Sequence, residues 1–244
     1  MRNIDLEAEA KFENRKASGE RVRSKQSKFY WATKLSIDYH NQLTYEVIQN
    51  KNVLEIGCAS GYDAVEYAKF SKSYVGVDIS DIAISNCHKL KLTNAEFHCT
   101  NGHKLPVESK SIDYIIVNSL LHHLNLIIIF PEIIRVLNDD GRLVFREPLG
   151  TNPIFQLYRF LTPSARTVDE RPITFKDLEL MRSYFHFENV SWFGFLNILS
   201  AFLRFNLVRI TLTKVDRMLS YTPLKYFFWQ FSGIVKVKNT HDAE

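Results

Sequence analysis

The sequence predicts an α/β domain in which helices cover both faces of a doubly wound, mostly parallel sheet. Short apolar segments that suit strands buried on both faces alternate with helical patterns between residues 51 and 148. The first segment, Val53–Ile56, ends in a turn that holds Gly57 and Gly61, where the backbone can bend sharply or approach a ligand closely. The second, Tyr74–Asp78, ends in a carboxylate. A glycine turn followed about twenty residues later by an acidic strand end is typical of a Rossmann-like fold.

The composition limits the classes to which the chain can belong. Its 244 residues suffice for one α/β domain with insertions, and a hydrophobic content of 45% argues against wholesale disorder. A net charge of +4 is too small to indicate nucleic acid binding by itself. Three cysteines without a CxxC pair argue against a disulfide framework or a structural zinc site, and no His, Asp or Glu group has ligand spacing. We therefore expect no metal.

The sequence carries no signal for export or for spanning a membrane. The segment Met1–Glu7 lacks the apolar stretch of a signal peptide, and no run of about eighteen apolar residues indicates a transmembrane helix. We therefore expect a cytoplasmic protein in a reducing compartment.

Residues 1–50 are predicted to form an N-terminal basic arm and a helix that leads into the first strand. Lys and Arg are spread through the polar residues 1–28, and we interpret this arm as a solvated face. Contact with an anionic membrane or substrate is the alternative. In the predicted helix 36–49, Leu43 and Val47 recur at helical spacing.

The remaining core elements continue the alternation of strands and helices. Ser80 is a predicted N-cap for a helix that ends near Leu92. The later strands are predicted at 95–99, 111–118 and 142–147, and further helices at 62–70 and 126–137. Because such sheets bind ligands outside the carboxyl ends of their strands, we expect the residues there to form one site. These residues are Gly57, Asp78, Asn101, Asn118 and His123.

Six motifs together resemble those of class I S-adenosylmethionine-dependent methyltransferases of the type 11 group. The resemblance covers about residues 51–148. The motifs lie at 53–61 (VLEIGCASG), 76–80 (GVDIS), 105–106 (LP), 111–115 (SIDYI), 120–124 (LLHHL) and 137–143 (LNDDGRL). Each motif alone is weak, and the specificity comes from their combination.

The resemblance implies S-adenosylmethionine as the cofactor and assigns nine residues to it. They are Glu55, Gly57, Ala59 and Gly61 around the methionine part, Asp78 at the ribose hydroxyls, Ile79, Asn101 and Gly102 at the adenine, and Asn118 near the methionine end. Two positions depart from the family pattern. Ala59 stands where a glycine is frequent, and Asn101 stands where an aspartate is usual. An amide oxygen at Asn101 still accepts a hydrogen bond from an adenine amine.

A nicotinamide-dependent oxidoreductase is the main competitor on physical grounds. Its fingerprint spaces glycines as GxGxxG, and the segment 57–62 (GCASGY) does not fit that spacing. The fourth strand is also not followed by a helix with a Tyr-x-x-x-Lys pair.

Two histidines and one glutamate are the candidate catalytic residues. His122 and His123 follow the fourth strand, and an imidazole suits a general base near neutral pH. Because adjacent residues are not expected to face one site together, we favour His123. A histidine that only packs against the cofactor or caps a helix is the alternative. Glu147 ends the fifth strand, where it orients a substrate hydroxyl or pairs at the surface with Arg146 or Arg171.

The second half of the chain adds segments to the plain fold. The core is predicted to extend over 51–194 with a lid at about 149–173, and Thr174 is predicted to cap the next helix. The last two strands are predicted at 187–193 and 234–237. The intervening residues are too many for a hairpin loop, and their pattern predicts an amphipathic helical insertion. Residues 195–244 are therefore predicted to form a third region.

Three interpretations of residues 195–230 remain open. The insertion covers the active site with an apolar pocket, lies peripherally on a membrane, or forms the interface of a homodimer.

The predicted function is methyl transfer from S-adenosylmethionine to a small molecule. The expected acceptor is a hydroxyl of a sugar, of a lipid-linked compound or of another apolar biosynthetic intermediate. One alternative is a non-catalytic partner subunit that binds S-adenosylmethionine. Another is a methyltransferase acting on nucleic acid or protein, although the sequence shows no basic-aromatic stacking platform.

Overall fold

The computed structural model describes residues 5–20, 27–161, 171–200 and 205–238. Eight helices lie in these ranges: α1 (Leu6–Ala17), α2 (Ser27–Val47), α3 (Ala64–Phe70), α4 (Asp81–His88), α5 (Leu126–Val136), α6 (Pro153–Leu161), α7 (Phe175–Tyr184) and α8 (Asn206–Leu219). The strands are β1 (Asn52–Ile56), β2 (Ser73–Asp78), β3 (Ala95–Cys99), β4 (Ile112–Asn118), β5 (Leu137–Pro148), β6 (Phe185–Phe193) and β7 (Gln230–Val237). Short 3-10 turns lie at Leu121–His123, Asn197–Leu199 and Pro223–Phe227.

The strands form one seven-stranded sheet in the order β3-β2-β1-β4-β5-β7-β6. The pairs among β1 to β5 are parallel, and β7 runs antiparallel to both of its neighbours. The predicted Rossmann-like fold class is therefore confirmed.

Helices pack on both faces of the sheet, because the central strands are apolar on both sides. Ile115 and Ile116 are adjacent in β4 and both fully buried, one in the cluster with α5 and the other in the cluster with α3 and α4. Burying a side chain of this size contributes about 1.5–3 kcal/mol. On the α3 side, Leu43 of α2 packs against Val144 and Ile234, so α2 covers β5 and β7.

Local signals set the helix ends in two places. The Ser80 hydroxyl accepts a hydrogen bond from the Ala83 N–H at 3.0 Å, and Thr174 forms a capping box with Asp177, so both predicted caps are confirmed. The helix after Ser80 ends at His88 rather than near Leu92. Its continuation is interrupted because Lys91 has a φ of 53°, which is incompatible with a right-handed helix.

The insertion between β6 and β7 is helical, as predicted. The Asp216 carboxylate of α8 accepts hydrogen bonds from the N–H groups of Phe195, Leu196 and Asn197 at 2.8–3.1 Å. Burial raises the pKa of Asp216, and these three N–H groups oppose the shift. They attach α8 firmly to the end of β6. In the described ranges, no helix combines the length and the apolar character needed to cross a bilayer.

Two predicted boundaries stay untested. The lid at about 149–173 includes α6, but most of its charged segment lies outside the described residues. The division of the chain into 1–50, 51–194 and 195–244 also remains a prediction.

Candidate active site

A cleft of about 260 Å³ lies at the carboxyl edge of the sheet. Its walls come from the segments that follow β1, β2, β3 and β4, and from α1. Seven of the nine residues that the resemblance assigned to the cofactor line it: Gly57, Ala59, Asp78, Ile79, Asn101, Gly102 and Asn118. The predicted convergence of strand ends on one crevice is therefore present in the structure.

The loop after β1 is held in a conformation that opens the cleft. Gly57 has a φ of 84°, and a Cβ atom there would approach Leu120 Cδ2 to 2.9 Å, which is too close for a real contact. The Gly57 N–H donates to the Val77 carbonyl at 2.7 Å, which fixes the loop against β2. Ala59 has a φ of 48°, which explains why glycine is frequent at this position in the family it resembles.

Asp78 presents a carboxylate that the backbone holds in place. Its Oδ2 accepts the Ala59 N–H and its Oδ1 accepts the Ser80 N–H, both at 2.9 Å. Burial raises the pKa of Asp78, and the two N–H groups oppose that shift. A carboxylate oxygen can accept more than one hydrogen bond, so this group can also receive the two hydroxyls of a ribose.

Glu55 and Gly61 do not line the cleft, and their predicted contact with the methionine part stays a prediction. Glu55 is buried on the α3 side of the sheet, where it accepts a hydrogen bond from the Tyr74 hydroxyl. Burial raises the pKa of Glu55 to about 8, against the opposing effect of Tyr74. At Gly61, an added Cβ would meet Leu90 Cδ1 at 2.6 Å and Cys87 Sγ at 3.2 Å, so this glycine allows the loop to pack on α4 and the turn after it.

Helix α1 closes one side of the cleft, a position that the sequence did not predict. Leu6, Glu9, Glu13 and Lys16 line the cleft, whereas Lys11 and Arg15 are 73% and 58% exposed. The predicted solvated face therefore describes the outer side of the helix but not the side on the cleft. The helix is attached through Asn14, whose amide accepts from the Ser80 hydroxyl at 2.5 Å and donates to Asp81 Oδ1 at 2.8 Å.

A local signal could have revealed that α1 is helical. Asp5 precedes the helix, and its carboxylate accepts from the N–H groups of Glu7 and Ala8. Glu7 and Glu9 lie in the first turn and Arg15 and Lys16 in the last, an arrangement that complements the helix dipole. That pattern predicts a helix, but not the surface on which the helix docks.

Both histidines after β4 line the cleft, contrary to the expectation that only one could. They belong to the 3-10 turn Leu121–His123, and their ring centroids are 4.2 Å apart. Each Nδ1 faces a carboxylate: His122 Nδ1 is 2.7 Å from Glu147 Oε2, and His123 Nδ1 is 3.1 Å from Glu9 Oε1. The tight turn brings the adjacent rings together with an angle of 46° between their planes.

Glu147 is a buried group that positions the histidine turn. It has no exposed surface, and its Oε1 accepts the N–H groups of Leu120 and Leu121 at 2.8 and 2.7 Å. It does not line the cleft, so neither orientation of a substrate hydroxyl nor a surface pair with Arg146 or Arg171 describes it. Arg146 instead donates from Nε to Asn118 Oδ1 at 2.9 Å.

Two further sequence interpretations concern metals and the insertion. Within the residues that the structure describes, no three His, Cys, Asp or Glu side chains come together as a metal site. Of the described residues in 195–230, none lines the cleft, so they do not supply the apolar cover proposed as the first interpretation.

Comparison with known proteins points to one kind of domain. Residues 54–145 match the model of a family described as a methyltransferase domain. A protein of Dictyostelium discoideum provisionally named a methyltransferase is 32% identical over 91 residues, which are 37% of this chain and 34% of that protein. The matched segment thus spans about a third of the relative's length.

Solved structures share the fold of this chain over nearly its whole length. Geranyl diphosphate C-methyltransferase from Streptomyces coelicolor A3(2), in complex with S-adenosyl-L-homocysteine, has a TM-score of 0.65 at 16% identity, with 95% of this chain and 97% of that chain covered. A [4+2]-cyclase has a TM-score of 0.60 at 14% identity, with 96% and 97% covered. These structures confirm the predicted fold, and the predicted enzyme class and its cofactor, S-adenosylmethionine, are consistent with the matched methyltransferase domain.

Proposed function

We propose that the protein transfers a methyl group from S-adenosylmethionine to a hydroxyl oxygen of a small, partly apolar molecule. A sugar, a lipid-linked compound or another apolar biosynthetic intermediate fits this description. The observation that carries the proposal is the pair of imidazoles in the cleft, each with a carboxylate at Nδ1. A hydroxyl nucleophile benefits from such a base, because it must lose its proton as the new bond forms.

The residues of the cleft suit S-adenosylmethionine. Asp78 would hold the ribose hydroxyls, Ile79, Asn101 and Gly102 would surround the adenine, and the Gly57–Ala59 loop and Asn118 would lie along the methionine part. When bound, this cofactor supplies an electrophilic methyl group on a sulfonium. The chain's contribution is to hold the acceptor oxygen in line with that methyl group, and such positioning can lower a barrier by about 7–11 kcal/mol.

His123 is the proposed general base and Glu9 its positioning residue. A carboxylate that accepts from Nδ1–H fixes the imidazole tautomer, so that Nε2 becomes the nitrogen that takes a proton. It also stabilises the imidazolium that forms. His122, held by the fully buried Glu147, packs beside His123 and fixes the position of its ring.

The other side chains of the cleft favour a small, partly apolar acceptor. Leu6, Leu120 and Leu124 contribute apolar surface. The acidic residues Glu9 and Glu13 line the same cleft, a distribution of charge that opposes a polyanion such as nucleic acid. A neighbouring fold that binds geranyl diphosphate supports a partly apolar small molecule, although that protein is a C-methyltransferase and the ligand belongs to it.

A cofactor-binding protein without methyl transfer is the second candidate. The shared fold of a [4+2]-cyclase favours it, because this fold also serves a protein named for a different reaction. Radiolabelled methyl transfer from S-adenosylmethionine into a panel of apolar hydroxyl compounds separates the two candidates.

The His123→Ala variant tests the base in the same assay. We expect kcat to fall at least about a hundredfold, because general base catalysis typically contributes that much, while the affinity for S-adenosylhomocysteine stays within twofold. His186→Ala is the matched control, since His186 is exposed on β6 and does not line the cleft. A decrease of only a few fold in the kcat of His123→Ala would mean that His123 packs in the cleft without acting as the base.

A further inference from the structure

Helix α8 exposes large apolar side chains on the side that faces away from the sheet. Leu207 and Met218 are 76% and 73% exposed, Ile210 is 50% exposed, and Tyr221 just beyond the helix is 82% exposed. Positions 207, 210, 214 and 218 follow one side of a helix with 3.6 residues per turn. Single exposed apolar residues are common on protein surfaces, but an aligned row indicates an interaction site.

The attachment of α8 fixes which side of the helix points outward. Asp216 is buried and bonded to the backbone of residues 195–197, and Leu219 packs against the main core. At 100° per residue, Leu207, Lys214 and Met218 lie within about 20° of the direction opposite Asp216. The exposed row is therefore set by buried contacts on the other side of the helix.

The charges of this region are almost all positive. Among residues 205–227, Arg209, Lys214, Arg217 and Lys225 are basic, and Asp216 is the one acidic residue in the sequence. Because Asp216 is buried, the described outer surface combines exposed apolar groups with the cations of Lys214 and Arg217. This combination is typical of helices that lie at the interface of a bilayer with anionic lipid.

A homodimer through the same surface is less consistent with these charges. A two-fold interface places the same patch of both copies together, so Lys214 and Arg217 of each copy would face their counterparts. Lysine is also depleted at protein interfaces relative to the rest of the surface. An anionic lipid headgroup instead offers the opposite charge beside an apolar layer.

The insertion leaves the sheet at the edge that carries the cleft. Gln230 begins β7 and pairs both with Phe193, the last residue of β6, and with Pro148, the last residue of β5. The cleft lies at this same carboxyl edge of the parallel strands. A bilayer that contacts α8 would therefore lie on the side from which an apolar acceptor reaches the cleft.

Helix α6 adds apolar surface next to the turn that follows α8. Asn152 Nδ2 donates to the Phe227 carbonyl at 2.6 Å, and Phe155 packs on Trp229 with ring centroids 5.0 Å apart. The exposed side of α6 carries Phe160 and Leu161, which are 80% and 68% exposed.

We propose that the protein binds peripherally to anionic membranes through a docking surface on α8. This surface consists of Leu207, Ile210, Lys214, Arg217, Met218 and Tyr221. Its apolar members enter the headgroup region, and its two cations contact lipid phosphates. Membrane binding does not require methyl transfer, so it can be tested whether or not an acceptor is known.

Co-sedimentation of the full chain with lipid vesicles tests the proposal. We expect the protein to sediment with vesicles of phosphatidylcholine and phosphatidylglycerol, and much less with phosphatidylcholine alone or at high salt. The double variant Leu207→Ser/Met218→Ser should reduce partitioning about tenfold or more, because both apolar side chains that would enter the headgroup region are lost. Lys214→Glu/Arg217→Glu should reduce it at least as much on anionic vesicles.

Matched variants at the opposite edge of the sheet control for charge and exposed apolar area. Lys51→Glu/Lys72→Glu changes the net charge equally, and Phe70→Ser removes an exposed aromatic ring. Both controls should sediment as the unchanged protein does, and all variants should retain binding of S-adenosylhomocysteine. Three results would overturn the proposal: no binding to anionic vesicles, equal binding by the α8 variants, or a dimer in solution that Leu207→Ser/Met218→Ser dissociates without any vesicle binding.

Discussion

At the scale of single residues, the backbone of Ala59 takes a conformation that glycine adopts at little cost. Its φ of 48° lies in the left-handed region, where a Cβ atom approaches the following carbonyl oxygen and costs roughly 1–2 kcal/mol. The Ala59 N–H in turn donates to Asp78 at 2.9 Å, so this conformation helps to hold the carboxylate in place. Strain of this kind is frequent at ligand sites, where surrounding contacts maintain it.

We expect Ala59→Gly to stabilise the protein. Glycine removes the steric cost at this φ. Its greater conformational freedom in the unfolded chain cancels about 0.5–1 kcal/mol of that gain. The net gain should be about 0.5–1 kcal/mol in the free energy of unfolding, measured by urea denaturation.

The control for this variant is the same substitution in a helix. Ala8→Gly, on the exposed face of α1, should lower the stability slightly, because glycine is a poor helix former and Ala8 lies in the first turn. If Ala59→Gly lowers the stability equally, Ala59 is not strained.

At the scale of elements, α1 is attached to the cleft through the start of α4 and the histidine turn. The Asn14 side chain makes two hydrogen bonds with the start of α4, to Ser80 and Asp81. Glu9, in the same helix, reaches His123. These contacts hold α1 through side chains of neighbouring segments rather than through the sheet.

We expect Asn14→Ala to weaken the binding of S-adenosylhomocysteine. The loss of two hydrogen bonds, each contributing roughly 0.5–1.5 kcal/mol, shifts α1 away from the cleft and should raise Kd about fivefold to tenfold in calorimetry. Lys11→Ala is the control, since Lys11 is 73% exposed and pairs within the helix with Glu7. Equal affinities in the two variants would mean that α1 does not contribute to the cofactor site.

The elements that the sequence predicted are those whose signals are local. Strands β1 to β5 follow from apolar runs, and the caps Ser80 and Thr174 follow from one side chain near its own helix. The position of α1 did not follow, because its partners Ser80 and Asp81 are more than sixty residues away in the sequence. Local periodicity carries no information about such contacts.

The residues of the candidate site also fall into two groups, those that local sequence signals predict and those that depend on distant contacts. Strand-end positions such as Asp78 and Asn118 could be placed, because parallel strands bring their carboxyl ends to one edge. The roles of Glu55 and Glu147 could not, because the side of the sheet on which each carboxylate lies depends on the packed neighbours. Tyr74 holds the first and the histidine turn holds the second, both in the interior.

At the scale of the whole molecule, the buried carboxyl of Glu55 makes stability depend on pH. Its pKa is raised to about 8 by burial, whereas a glutamate in the unfolded chain titrates near its usual value of about 4.3. Between these values the folded state holds a proton that the unfolded state releases. Stability from this group is therefore complete below the unfolded pKa and is lost as pH rises toward 8, by at most about 1.4 kcal/mol per pH unit.

We expect Glu55→Gln to flatten the decrease of stability between pH 5 and pH 8. An amide is neutral at every pH and can accept the same hydrogen bond from Tyr74, so this contribution to the slope disappears. Urea denaturation of both proteins across this range of pH measures the difference. Asp216→Asn provides a comparison. Burial also raises the pKa of the Asp216 carboxyl, but three backbone N–H groups donate hydrogen bonds to it. Parallel stability curves for Glu55→Gln and the unchanged protein would show that Glu55 is ionised in the fold.

The contact between Glu9 and His123 joins α1 to the turn that follows β4. Under the proposed mechanism, the group that sets the tautomer of the base therefore belongs to a helix outside the sheet. The proton acceptor is then complete only while α1 lies against the cleft, which couples enclosure of the nucleoside to readiness for methyl transfer.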